Sequence, residues 1–485
     1  MRFVANGNFS ALGRRVSTLG GMIILCAFCV GSASGQDITL RIKIDERGQA
    51  EVTGKFAESF IGKVGRQFDL LDEFAGTSSL SKRFTGLMLT TRPSDGAILQ
   101  FAYNVDLKPL SARAAAAHVS WIGENGGLLM LDDLIPQVRA KTGQITLSVP
   151  AGWKITTTET LKEPGVYQAA NVEKAVFILG KNRREKMVAS GRSAIRLSIS
   201  DSWHFTDDDA GAISSEIFAR YREIFGEAPG EAFLIAVSKF PTRVDPGNWE
   251  ADTRGATSVI ISSDMPFGSQ SQRRLHEQLR HEIFHFWMPN GVSLSGNYDW
   301  FYEGFALYES AKMGVMTNTI SFDNFLDVLS RAHAIDSRQE SRLSLIEASR
   351  RRFAGENTRV YARGMVAAFL CDLAMLEKSR GKRSSADILR SVYQRYRNSQ
   401  PHTDGNDAVL ATMAEWPELV PIVERFIKGD AAIDWQTYIA YAGLEPTNKT
   451  TGRGLAVSEK LKGRQKDLLD RLGYNMWRKA AARMK

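Results

Sequence analysis

Cysteine is almost absent from this chain: three among 485 residues, at Cys26, Cys29 and Cys371. The first two lie in a stretch that reads as a removable leader, so the mature chain keeps Cys371 alone and an internal disulfide is excluded. Cys371 ends the apolar run Ala368-Phe369-Leu370, the setting of a small buried hydrophobe rather than a nucleophile. Long apolar runs are missing too. Residues 21–30 are apolar but too few to cross a bilayer; Arg2, Arg14 and Arg15 precede them and the small residues Ala33-Ser34-Gly35 follow. We therefore expect residues 1–35 to be a signal peptide cleaved before Gln36, with the mature chain periplasmic or secreted. Nor does charge of one sign run along the body. Residues 449–485 hold eleven basic against three acidic side chains, the equivalent of the chain's whole net charge of +8. That excludes a nucleic-acid-binding face on the body. The basic tail, 447–485, is expected to be a solvated helix, with a weak contact to an anionic surface as its other use.

What is present, at 43% hydrophobic and 24% charged, is the composition of an ordinary globular protein too long for a single core. Residues 36–203 read mostly as strands. Ile38-Thr39-Leu40-Arg41-Ile42-Lys43-Ile44 and Gln144-Ile145-Thr146-Leu147-Ser148-Val149 alternate apolar and polar residues, with turn chemistry such as Pro93-Ser94-Asp95-Gly96 between such runs. A short helical interruption is expected at 111–118. Over 204–318 the pattern mixes helices with apolar, β-branched strands at 232–239 and 256–262. Asp208 is expected to cap the first helix, which ends at Gly226. From 319 to 446 the periodicity is helical. The fold class that follows is α+β and multidomain.

Histidine is also scarce, at seven residues, which makes the arrangement of two of them informative. His281 and His285 flank Glu282-Ile283-Phe284, and on a helix that spacing projects both imidazoles from one face. Two imidazoles so placed can grip one Zn²⁺, and Glu282 beside them can take a proton from a metal-bound water. Zinc in a catalytic site needs a third protein ligand. Glu303, eighteen positions after His285 and at the start of an amphipathic stretch, is the candidate. His276 is turned off the ligand face and is read as a solvated pair with Glu277; His118, His204, His333 and His402 are read as structural or surface residues. Trp287 and Trp300 are expected to pack the joint between the two helices.

Residues 281–287 (HEIFHFW) and 300–308 (WFYEGFALY) resemble the gluzincin metallopeptidases, most closely the glycyl aminopeptidase family and more distantly the aminopeptidase-N-like family. Leu147-Ser148-Val149-Pro150-Ala151-Gly152-Trp153, Val360-Tyr361-Ala362-Arg363-Gly364 and Phe426-Ile427-Lys428-Gly429 extend the resemblance over most of 37–446. It implies a β-sandwich-like N-terminal domain, a thermolysin-like α/β catalytic domain and a helical domain completing the cleft. It implies one zinc ion per chain and a peptide substrate. It further implies that Tyr361 donates to the oxyanion of the tetrahedral intermediate, and that Glu250, in Gly247-Asn248-Trp249-Glu250, holds a substrate's free α-amine. There are departures. The His285–Glu303 spacing is shorter than usual, Met288-Pro289-Asn290 replaces a polar run, and the residues after Glu445 are too few for the family's C-terminal peptide-binding domain of the PDZ type. The expected function is an exported zinc metallopeptidase, an aminopeptidase if Glu250 anchors the amine. An endopeptidase, a hydrolase of another bond and a zinc-containing binding protein without turnover stay open. The oligomeric state is not set by the sequence.

Overall fold

The alternation at Ile38–Ile44 forms a strand in which every second side chain is buried. It pairs antiparallel with Gln49–Phe56 and parallel with Gly143–Ser148, at the middle of a seven-stranded sheet. A second, four-stranded sheet contains Gly126–Met130 and Val176–Gly180. The two sheets share one core: Leu40, Ile42, Val52 and Ile145 of the first meet Leu129, Phe177 and Leu179 of the second. The expected helical interruption is a 3-10 turn, Arg113–Ala117. This is a computed structural model; it describes residues 36–60, 83–111, 113–136, 142–339, 342–398, 403–449 and 452–476, and the expected signal peptide lies outside them.

A five-stranded sheet carries the next layer. Its order is Arg184–Ser190, Ser193–Ile199, Ala232–Lys239, Thr257–Ser262, Trp249–Arg254. It thus takes in residues 184–199, on the N-terminal side of the boundary expected at 203/204. Ala232–Lys239 runs parallel to both neighbours, and Trp249–Arg254 is an antiparallel edge. Every residue of Thr257–Ser262 is buried, as a strand covered on both faces requires. Ile235, Val237 and Ile260 face the helices, while Leu234, Ala236, Val259 and Ile261 face Trp121, Leu128 and Ile178 of the four-stranded sheet. Helix α1, Asp207–Phe225, crosses between two of the parallel strands. Its cap is Thr206, closing a reciprocal box with Asp209, rather than the expected Asp208; Gly226 ends it in the left-handed region at φ 93°.

Helices α2 (Gly268–Phe284) and α3 (Asp299–Met316) follow, then α4 (Phe322–Ser337), α5 (Leu345–Arg350) and α6 (Asn357–Ser379). α3 and α6 approach through glycine. A Cβ added to Gly304 would lie 2.4 Å from the backbone carbon of Gly364, so neither position has room for a side chain. Cys371 is fully buried on α6, as its apolar setting implied. The tail departs from expectation. Instead of a solvated helix it opens with a hairpin, Leu444–Lys449 and Gly452–Val457, followed by a helix at Gly463–Arg471. Leu455 of the hairpin and Leu468, Leu469 and Leu472 of the helix and its C-cap are buried in the main helical core; there the three leucines gather on one side while Arg464, Lys466 and Arg471 are exposed. Among the described residues, no helix is long and apolar enough to cross a membrane.

Candidate metal centre

Helix α2 buries Leu275, Leu279 and Ile283 in the core, one turn apart, and this fixes its rotation. His281 and His285 then share the other side. Their Nε2 atoms stand 3.2 Å apart. The ring of His285 is held by its Nδ1, which donates to the Met288 carbonyl oxygen at 2.8 Å and leaves Nε2 as the ligating atom. Glu303, in the second turn of α3, brings Oε2 to 3.4 Å from His281 Nε2 and 3.6 Å from His285 Nε2. All three residues are buried. Tetrahedral coordination with bonds of about 2.0–2.1 Å requires ligand atoms about 3.3 Å apart, so this triangle fits Zn²⁺. Glu303 Oε2 is buried and accepts no hydrogen bond, an acceptor in want of a cation. Burial opposes ionisation of Glu303, but His285, His281 and Arg352 outweigh it and hold the carboxyl well below the usual carboxylate range.

Glu282 is 3% exposed and lies beside the two imidazoles. Burial raises its pKa, an effect only partly offset by His281, His285 and the Thr253 hydroxyl. Thr253 donates to Glu282 Oε2 at 2.7 Å from the edge strand Trp249–Arg254. Asn290 ties that strand to the end of α2: its side-chain nitrogen donates to the carbonyls of Thr253 at 2.7 Å and His285 at 3.1 Å. Asn290 thereby gives the unusual Met288-Pro289-Asn290 segment a structural task.

Tyr361 reaches the same place from α6, its ring 6.5 Å from that of His281 and its hydroxyl 2.8 Å from Arg352 Nη2. Arg352 was not legible beforehand. It ends the run Arg350-Arg351-Arg352, and the fold turns its side chain inward, to 14% exposure. It also pairs with Asp299 at 2.7 Å and with Glu303 Oε1 at 3.1 Å. Thr253 was equally hidden, as one polar residue in a short strand.

Glu250 lies on the same edge strand but out of step with it. Trp249, Ala251 and Thr253 pair with Ser262, Ile260 and Ser258, the helix-facing side of the sheet; Glu250 and Asp252 pair with Ile261 and Val259, the opposite side. There Glu250 Oε1 meets Arg113 Nε at 3.1 Å, and Arg113 also donates to Asn248 at 2.5 Å. The acid proposed for an amine already holds a guanidinium.

Of the other histidines, His276 departs from expectation. It is buried rather than solvated, bonded to Arg280 at 2.9 Å, because Arg280 folds back along α2. His118 pairs with Asp252, His204 with Asp264, and His333 stacks on Trp435, all away from the three ligands; His402 lies outside the described residues. Trp287 and Trp300 are fully buried, donating to the Glu227 carbonyl and the Asn406 side chain, and do not line the site.

No protein-family profile and no curated protein matches the chain. Solved structures do. An aminopeptidase N family protein from Idiomarina loihiensis matches with a TM-score of 0.67 at 15% identity, over 88% of this chain and 82% of that one. An M1 zinc metallopeptidase from Deinococcus radiodurans matches with a TM-score of 0.52 at 16% identity, over 82% and 93%. This is the fold of the M1 zinc metallopeptidases. A variant of the Deinococcus enzyme bound to a Tyr-Ser-Ala substrate matches with a TM-score of 0.52, over 82% of this chain and 94% of that one. At these identities the likeness is one of fold. These structures belong to the aminopeptidase N side, the more distant of the two resemblances read from the motifs.

Proposed function

We propose that this protein is a zinc-dependent metallopeptidase. One observation carries the reading: two histidines and a glutamate converge at tetrahedral spacing, with a buried carboxyl, Glu282, alongside. His281, His285 and Glu303 would hold one Zn²⁺ per chain. When bound, the ion supplies a Lewis acid that polarises the scissile carbonyl and acidifies water. The protein's own groups do the rest. Glu282 takes the proton of the attacking water, its carboxyl held in place by the Thr253 hydroxyl at Oε2. The same carboxyl then delivers the proton to the departing amine nitrogen. The Tyr361 hydroxyl donates to the carbonyl oxygen as it gains charge.

An aminopeptidase is the finer reading. A variant of the Deinococcus enzyme was solved with Tyr-Ser-Ala, and a related two-domain variant with L-arginine, both ligands with a free α-amine. Glu250 is the candidate anchor here, and an incoming amine has to displace Arg113 to use it. Export after cleavage at Gln36, the glycyl aminopeptidase affinity and the weak anionic-surface contact of the tail belong to the same proposal. The test is zinc analysis of the purified mature chain with matched free and N-blocked peptides. Cleavage of free-amine peptides alone supports the aminopeptidase; cleavage of blocked peptides alone replaces it with an endopeptidase. A chain that binds no zinc, or binds it and cleaves neither set, overturns the function.

A further inference from the structure

We propose that Arg352 is a positioning residue of this centre, setting the direction in which Tyr361 donates and the oxygen that Glu303 offers the metal; the inference rests on the metallopeptidase reading above. Arg352 opens the 3-10 turn Arg352–Ala354 between α5 and α6, and its side chain is 14% exposed. One planar guanidinium reaches two helices. Nη1 meets Asp299 Oδ1 at 2.7 Å and Nη2 meets Glu303 Oε1 at 3.1 Å, both on α3. Nη2 also donates to the Tyr361 hydroxyl oxygen at 2.8 Å, and Nε to Asn357 Oδ1 at 3.0 Å, both on α6. Asp299 is itself fixed, since the Tyr302 hydroxyl donates to the same Oδ1 at 2.7 Å.

Two consequences follow from the chemistry of these atoms. A carboxylate with Oε1 held by a cation presents its other oxygen, and Oε2 is the atom aimed at the two imidazoles. A phenol oxygen that accepts from a guanidinium keeps its own hydrogen for another acceptor. Donation onto that oxygen polarises the O–H and strengthens it as a donor. Arg352 therefore prepares both the ligand set and the oxyanion donor without touching substrate. A lysine cannot reproduce this, because a point charge on a flexible stem lacks the planar fork.

The test compares wild-type mature chain with Arg352→Met, Arg352→Lys, Tyr361→Phe and the Arg352→Met/Tyr361→Phe double variant. Zinc retention is read by chelator competition, kcat and KM on a peptide substrate at saturating zinc, and folding by circular dichroism. Arg352→Met is expected to weaken zinc retention about 10–100-fold, the usual cost of losing a partner of a metal ligand. At saturating zinc it is expected to lower kcat about 100-fold, the scale of a lost oxyanion donor, with KM little changed. In the Tyr361→Phe background the same change again weakens zinc retention but adds little to the loss in kcat. Arg352→Lys restores part of the zinc retention and little of kcat, and it decides the matter if the Met variant does not fold. Unchanged zinc retention and kcat in a folded Arg352 variant would overturn the proposal, as would kcat losses that multiply in the double variant. A wild-type chain that holds zinc but cleaves no peptide would overturn the function and the Tyr361 half with it. The zinc comparison still decides the Glu303 half.

Discussion

Glu282 and Tyr361 are asked for different things, and single substitutions separate them. Glu282→Gln keeps the volume and the Thr253 contact but cannot accept a proton. Zinc content is expected to stay at the wild-type level while turnover falls by about 10²–10⁴-fold. Unchanged turnover would refute Glu282 as the base. Tyr361→Phe removes only the donor and is expected to cost about 10²–10³-fold in kcat. Arg113→Ala tests whether Glu250 can receive an α-amine at all. If Glu250 receives an α-amine, removing its resident guanidinium lowers KM for free-amine peptides and leaves blocked peptides unaffected; a KM that stays put excludes Glu250 from substrate binding. At this scale the sequence disclosed His281, His285, Glu282 and Glu303, because fixed helical spacing turns residue order into geometry. Arg352 and Thr253 stayed hidden, since their roles come from segments that meet only in three dimensions.

Helices α3 and α6 carry Glu303 and Tyr361, and their separation is set where Gly304 and Gly364 touch. Gly304→Ala places a methyl against the Gly364 backbone and is expected to destabilise the fold by about 1–3 kcal/mol, the cost of overpacking. Because Glu303 is the next residue, zinc retention should fall as well. Gly463→Ala, whose Cβ meets nothing within 4 Å, is the control and should change neither. Equal unfolding midpoints and zinc retention for Gly304→Ala and wild type would contradict this account. The elements themselves were largely readable: α2, α3 and the strands at Ile38–Ile44 and Ala232–Lys239 follow from period and turn residues. The register of Trp249–Arg254 was not. Which of Trp249 and Glu250 faces the helices depends on pairing with Thr257–Ser262, and a shift of one residue exchanges the two faces.

A charged cluster lies between the four-stranded sheet and the edge strand. Arg254 pairs with Asp132 and Asp252, His118 with Asp252, and Asp133 accepts from the amide and hydroxyl of Ser120. Burial, then the charge of Asp132, pushes Asp133 up to about 7 against the pull of Arg254 and Ser120. A carboxyl raised above its unfolded value of about 3.9 contributes stability that is complete below that value and lost as pH rises towards the folded one. Asn stays neutral throughout. The unfolding midpoint of Asp133→Asn relative to wild type should therefore climb between about pH 4 and about pH 7 and level off above it; a flat difference would show that Asp133 does not titrate in this window. Zinc acts on the whole molecule too, by mass action, and its removal with a chelator should lower the midpoint, less so in Glu303→Ala.

By itself the sequence determined that two histidines share one helix face with a carboxyl beside them, that another carboxylate lies on the next helix, and that strands precede helices. These depend on local periodicity, which the backbone enforces wherever the chain goes. Only the tertiary structure decided that Glu250 faces Arg113, that Arg352 joins Glu303 to Tyr361, and that the basic tail packs through its leucines. Each of those rests on residues far apart in the chain and brought together by burial, and no local pattern records such a meeting.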